Sequence, residues 1–167
     1  MVMLWSVTSL NYYLITFFMK YVPGNIYVNT SVSALSELVA YASSGFAYKI
    51  LGGKPSFGIS FFLAGIGGIL IAISPNAVGY KIASFVLVAK FGISFAFNLV
   101  YIITPSMFPT DLCTTAFGIC NGFAMFSSVL SPMVAETTEP LPMMIYALSS
   151  FAAIIATIFL NTKVKYD

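Results

Sequence analysis

A chain of 167 residues with 59% hydrophobic and only 7% charged side chains, at a mean hydropathy of +0.96, has too little polar surface to coat a water-soluble globule. The solvent expected for most of it is lipid. Its net charge of +2 comes from lysines alone, without arginine or histidine, which excludes the basic footprint that nucleic-acid backbones require.

At roughly 20 residues per spanning helix the length accommodates six helices with short links and no extramembrane domain. Six apolar runs are present, at about 2–19, 27–47, 57–74, 82–104, 112–135 and 141–160. The first carries Trp5, Asn11, Tyr12, Tyr13, Phe17 and Phe18. Such groups line a cavity by stacking and hydrogen bonding, or face lipid as aromatic side chains in membrane helices commonly do. This run has no basic leader and no small-residue cleavage site after it, so a retained helix is expected. Tyr21 to Asn25, with Pro23 and Gly24, ends it.

The second run places Glu37 near its middle, and Gly52-Gly53-Lys54-Pro55 closes it. The third is free of charge and holds Ala64 and Gly68 four residues apart, a spacing for close helix approach. Its Gly65-Ile66-Gly67-Gly68 is no dinucleotide fingerprint, because no strand-to-helix turn surrounds it. After Ser74-Pro75-Asn76, the fourth run contains Lys90 and Asn98. Glu37 and Lys90 each cost about 2.5–3.5 kcal/mol at the centre of a membrane helix, and their similar depth predicts that they neutralise one another.

Pro105 to Thr110 separates the fourth run from the fifth, which holds Cys113, Gly118, Cys120, Gly122 and Met125. Seven residues set the cysteines about 10 Å apart along a helix axis, too far for a disulfide, and both read as small packing residues. Gly118 and Gly122 repeat the small-residue spacing. Glu136 to Pro142 leads to a charge-free sixth run. Without histidine and with isolated carboxylates, there is no acid–base constellation and no metal set. Neither catalytic residues nor a cofactor are expected.

Six spans place both termini on one face with the second and fourth links. That face holds Lys49, Lys54, Lys163 and Lys165, against Lys20 and Lys81 beside Glu136 and Glu139 on the other. The lysine excess predicts cytoplasmic termini.

Several of these elements occur together in a known family. Gly24-Asn25-Ile26-Tyr27, Ser33-Ala34-Leu35 with Glu37, and Met107-Phe108-Pro109-Thr110 ahead of Phe117-Gly118 resemble the organic cation and anion transporters of the major facilitator superfamily. The resemblance runs over nearly the whole chain, with Trp5 and Tyr12 at the family's spacing before Gly24-Asn25. It implies an all-α membrane fold. The six helices would be the carboxy-terminal half of a twelve-helix transporter, built as a three-plus-three inverted repeat with the first helix of each triplet at the cavity and the third facing lipid.

Its implied function is movement of a small organic solute by alternating access. The implied cavity candidates are Trp5, Asn11, Tyr12, Tyr13, Glu37, Lys90, Asn98 and Met125, and the cytoplasmic loop elements are Gly53, Lys54, Pro109 and Thr110. Other positions depart from the family. Ser106 stands where it places a glutamate, Cys113 where it places an arginine, and Met125 where relatives often carry a charge.

A half-cavity is expected to leave Asn11, Glu37 and Lys90 facing lipid, and so to require a second six-helix half or a second copy of the chain. Two alternatives stay open at this point: a non-transporting membrane subunit that kept the fold, and the partial product of a longer gene.

Overall fold

The computed structural model describes residues 1–22, 25–74, 80–138 and 140–160. Pro23, Gly24, Pro75, Asn76, Glu139, Lys163 and Lys165 lie outside them. The described residues are helical throughout, with short connections.

Helix α1 (Val2–Phe18) tightens into a 3-10 turn at Met19–Tyr21. Helix α2 (Ile26–Leu51) starts at Asn25, whose side chain accepts the backbone N–H of Tyr27 at 2.9 Å and so satisfies one of the free donors of the first turn. It stops at Gly52, which holds φ +84°, a conformation that a Cβ would strain. Helix α3 (Gly53–Ile73) follows at once, so a single residue reverses the chain.

Helix α4 (Tyr80–Met107) carries Pro105 in its last turn, and Pro109 precedes α5 (Thr110–Ser128). A short α6 (Leu130–Ala135) continues the fifth run after a break at Val129. Pro132 accounts for the break, because it has no N–H for the Ser128 carbonyl and its ring crowds that turn. Helix α7 (Leu141–Ile158) begins with Pro142 in its first turn, where a missing N–H costs nothing.

Five segments are long and apolar enough to cross a membrane: Val2–Tyr21, Gly53–Ile73, Lys81–Met107, Thr110–Ala135 and Leu141–Ile158. The protein is an integral, multi-pass membrane protein. Helix α2 is not among the five, although at 26 residues and 1.5 Å per residue it is about 39 Å long. Glu37, Lys49 and its many serines lower its apolarity, so the sixth expected span is present as a helix without the hydropathy of one.

Helices α1 and α4 form the centre. Helix α4 packs against α1, α2 and α3, α1 packs also against α5, α6 and α7, and α3 lies along α7. The closest approach is between α3 and α4. A Cβ on Gly92 would come within 2.5 Å of the Ala64 backbone nitrogen, and one on Gly67 within 2.6 Å of that of Ala89. Ala64 is fully buried in this seam, whereas Gly68, four residues on, faces the Tyr146 ring of α7. The Tyr146 hydroxyl in turn donates to the Ala89 carbonyl at 2.9 Å, fastening α7 to α4.

Gly118 and Gly122 differ. A Cβ on either meets nothing within 4 Å among the described residues, so within this chain they are not packing positions. They lie on α5, where only Cys120 and Ala124 are buried, while α2 buries only Ser33, Ala40 and Ser44. These two helices are the least covered, and both show large apolar side chains outward, among them Leu35, Leu38, Ile119 and Phe126.

Candidate functional site

Charge draws three helices together at one point. Glu37 follows Ser33 by four residues and precedes Tyr41 and Ser44 by four and seven, so all four share the face of α2 that meets α4. On α4, Lys90, Phe97 and Tyr101 follow the same rule, and on α1 so do Trp5, Tyr12 and Thr16. The Lys90 ammonium lies 2.8 Å from Glu37 Oε1, forming the ion pair that their depth predicts. The lysine side chain is 2% exposed and the glutamate 21%.

Both ions have further partners from α1. The Tyr12 hydroxyl donates to Glu37 Oε2 at 3.1 Å. Lys90 donates to the Thr16 hydroxyl and stands 3.9 Å above the centre of the Tyr12 ring. Carboxylate, ring face and hydroxyls thus share out the lone pairs and protons that a buried ion pair must satisfy.

Aromatic rings run from this point toward the start of α1. Tyr12 packs on Phe97 at 4.7 Å, Phe97 on Tyr101 at 5.3 Å, and Tyr101 on Trp5 at 4.6 Å between centroids. Phe117 of α5 meets Trp5 edge-on at 5.0 Å. The Trp5 indole N–H, which needs a partner once buried, donates to the Thr104 hydroxyl at 2.8 Å. Tyr13 sets its ring edge against Tyr12. Asn98 ties α4 to α2 by donating to the Tyr41 carbonyl at 3.1 Å and the Ser44 hydroxyl at 2.6 Å.

Two expected residues stand apart. Asn11 is fully buried on the side of α1 that meets α7, donating to the Tyr146 carbonyl and the Ser150 hydroxyl and accepting from Ser149 of α7. One residue is 100° of helix rotation, which separates it from Tyr12. Met125 is 48% exposed on the outer side of α5. The expectation that Asn11, Glu37 and Lys90 face lipid does not hold, because each finds its partners inside the chain.

Thr16, Phe97, Tyr101 and Thr104 complete the site and were not singled out from sequence, and Phe117, quoted only for the family resemblance, joins them. The signal for Thr16, Phe97 and Tyr101 is periodicity alone, four residues after Tyr12 and seven and eleven after Lys90. At the far end of α2 and α4, the Tyr48 hydroxyl donates to Ser106 at 3.2 Å, a neutral contact where the family resemblance implies a charged side chain. Lys54 donates to the Ile158 carbonyl at 3.2 Å, joining the start of α3 to the end of α7. Pro109 accepts the N–H groups of Leu112 and Cys113, opening α5 at Thr110.

A buried ion pair at the junction of three helices is the kind of costly group that marks a functional site in a multi-pass membrane protein. Comparison with known proteins finds similar chains. Over 131 residues the chain is 30% identical to solute carrier family 22 member 21 of mouse, a match that covers 78% of the chain and 23% of the relative. It is 29% identical over 131 residues to the human organic cation/carnitine transporter 2, covering 78% and 24%. It is 30% identical over 142 residues to solute carrier family 22 member 15 of Xenopus tropicalis, covering 80% and 27%. No family model matches the chain. The chain is a homologue of the solute carrier family 22 transporters and spans about a quarter of the length of the curated relatives it matches.

Proposed function

We propose that the chain forms the carboxy-terminal six-helix half of a facilitator-type secondary transporter and moves a small organic solute by alternating access. The observation that carries this reading is the Glu37–Lys90–Tyr12 junction, which places the buried ion pair where α1, α2 and α4 meet. Ionisable groups inside a membrane protein are expensive and mark a solute or ion path. One relative is an organic cation/carnitine transporter, which supports a small polar or charged organic solute here.

In this reading α2 is the sixth span, its polar content accepted because it borders the cavity. The neighbours are consistent with a three-plus-three repeat: α2 packs on α4 as α5 packs on α1, and α3 lies beside α7. Both termini are cytoplasmic. The uncovered faces of α2 and α5, with Gly118 and Gly122, receive a second six-helix half or a second copy of the chain.

Uptake of labelled organic cations, anions and zwitterions into proteoliposomes holding the complete transporter tests the reading. Saturable uptake that Glu37→Gln reduces at least about tenfold is expected. Uptake indifferent to Glu37, or none for any solute, would sink it.

A further inference from the structure

Where α2 and α4 end and α3 begins, the three helices leave a cavity of about 350 Å³, lined by Tyr48, Lys49, Gly52, Gly53, Ile103 and Ser106. It is far larger than the roughly 15 Å³ that admits a single water. Ile103 alone among these residues has a wholly aliphatic side chain. A Cβ on Gly52 would meet nothing within 4 Å among the described residues, so the space beside this turn is open.

The charge at this cavity is unbalanced. Among the described residues Lys49 has neither an ion pair nor a hydrogen-bond partner. Of the described carboxylates, Glu37 is held by Lys90, and Asp111 and Glu136 do not line the cavity. Lys54, close by in sequence, donates to the Ile158 carbonyl instead. A lysine in the last turn of α2 complements the helix dipole, which explains its place on that helix but not the hydroxyls gathered beside it. The Tyr48 hydroxyl donates to Ser106, and Ser106 donates to the Ile103 carbonyl at 2.8 Å. Hydroxyl hydrogens rotate to suit an acceptor, so both can turn to one placed in the cavity.

We propose that this cavity is a site for a phosphate group, in which Lys49 supplies the charge and Tyr48 and Ser106 the hydrogen bonds. Lysine serves phosphate as a point charge, and a phosphate has enough strong acceptor oxygens to meet donors from different directions. Two sources share this chemistry, the headgroup of an anionic lipid and phosphate free in solution. The spans Gly53–Ile73 and Lys81–Met107 both reach their limits at the cavity, which sets it at the level of lipid headgroups. Once bound, the phosphate bridges the end of α2 to the end of α4 and stabilises the arrangement that holds them together. The site lies apart from the ion pair, since Lys49 follows Glu37 by twelve residues, about 18 Å along α2.

Thermal unfolding of the full-length protein in dodecyl maltoside, a detergent without phosphate, tests this near neutral pH. Dioctanoyl phosphatidylglycerol, inorganic phosphate and dioctanoylglycerol are titrated separately. Phosphatidylglycerol should raise the melting temperature by about 3 °C or more. A rise with this lipid alone assigns the site to headgroups, and a rise with inorganic phosphate assigns it to the free ion. Dioctanoylglycerol, which has the chains without the phosphate, should cause none. Lys49 is exposed, so Lys49→Gln leaves the fold intact and should weaken the apparent affinity about tenfold, and Ser106→Ala about threefold. Lys81→Gln, at the other end of α4, should leave it unchanged.

The proposal is overturned if neither phosphate compound raises the melting temperature or if dioctanoylglycerol raises it as much. It is equally overturned if Lys49→Gln binds as tightly as the native protein, or if Lys81→Gln loses as much affinity as Lys49→Gln.

Discussion

Glu37 and Lys90 depend on each other more than either contributes alone. Replacing one by glutamine strands the other in a site that is 2% exposed on the lysine side, and each single change should cost about 3–5 kcal/mol of stability. The double change removes both ions and should cost less than the sum. A double-mutant cycle on thermal or denaturant unfolding in detergent reads the coupling, and strict additivity would show that the two side chains do not act as a pair. These two residues were legible in sequence because lipid makes every buried charge conspicuous. Asn11 was not, since a run of apolar residues does not say which face of α1 carries the amide. Tyr101, Phe97 and Thr16 were hidden for the opposite reason, being ordinary members of membrane helices until Tyr12 and Lys90 fix the face that counts.

Helix packing separates two kinds of glycine. Gly92→Ala places its Cβ 2.5 Å from the backbone of Ala64, which cannot give way as a side chain would, so α3 and α4 must part. A loss of about 1–3 kcal/mol is expected, and equilibrium unfolding measures it. Gly118→Ala and Gly122→Ala meet open space and should leave the stability of this chain unchanged, while weakening its association with a second half. Cross-linking yield with the partner half reports the latter. The spacing of small residues was visible in both helices, but whether a neighbour exists to use it is tertiary information. Helix limits fell within a few residues of the apolar runs, except that α2 and α3 extend to meet at Gly52 and the fifth run breaks at Val129. The run at 112–135 conceals Pro132 because proline interrupts hydrogen bonding without changing polarity.

At the scale of the molecule, six spans and a second half set testable limits on topology and partnership. Single cysteines placed beside Lys54 should react with an impermeant reagent only from the cytoplasmic face, and those beside Lys81 only from the other. Labelling of both from one side would remove α3 as a span. The chain by itself in liposomes should show no saturable uptake, and it should associate with a second six-helix unit, because few side chains of α2 and α5 are buried among the described residues. Sedimentation in detergent together with an uptake assay checks both, and saturable transport by a proven monomer would contradict the reading. All-helical character was plain from composition, since backbone groups in lipid must satisfy one another along the segment. The pairing of α2 with α4 and of α5 with α1 was not, because nothing in an apolar pattern names its neighbour.

Trp5 is the sole indole of these 167 residues, and the structure puts it among α1, α4 and α5 at 2% exposure, with its N–H held by Thr104 and its ring against Tyr101 and Phe117. These residues therefore carry one optical probe, at the seam where α5 joins the centre. Its emission should be blue-shifted relative to indole in water and should move to the red, with no label attached, whenever Phe117 draws away and water reaches the ring. Solute added to the reconstituted protein then turns a steady-state fluorescence spectrum into a direct record of whether that seam opens.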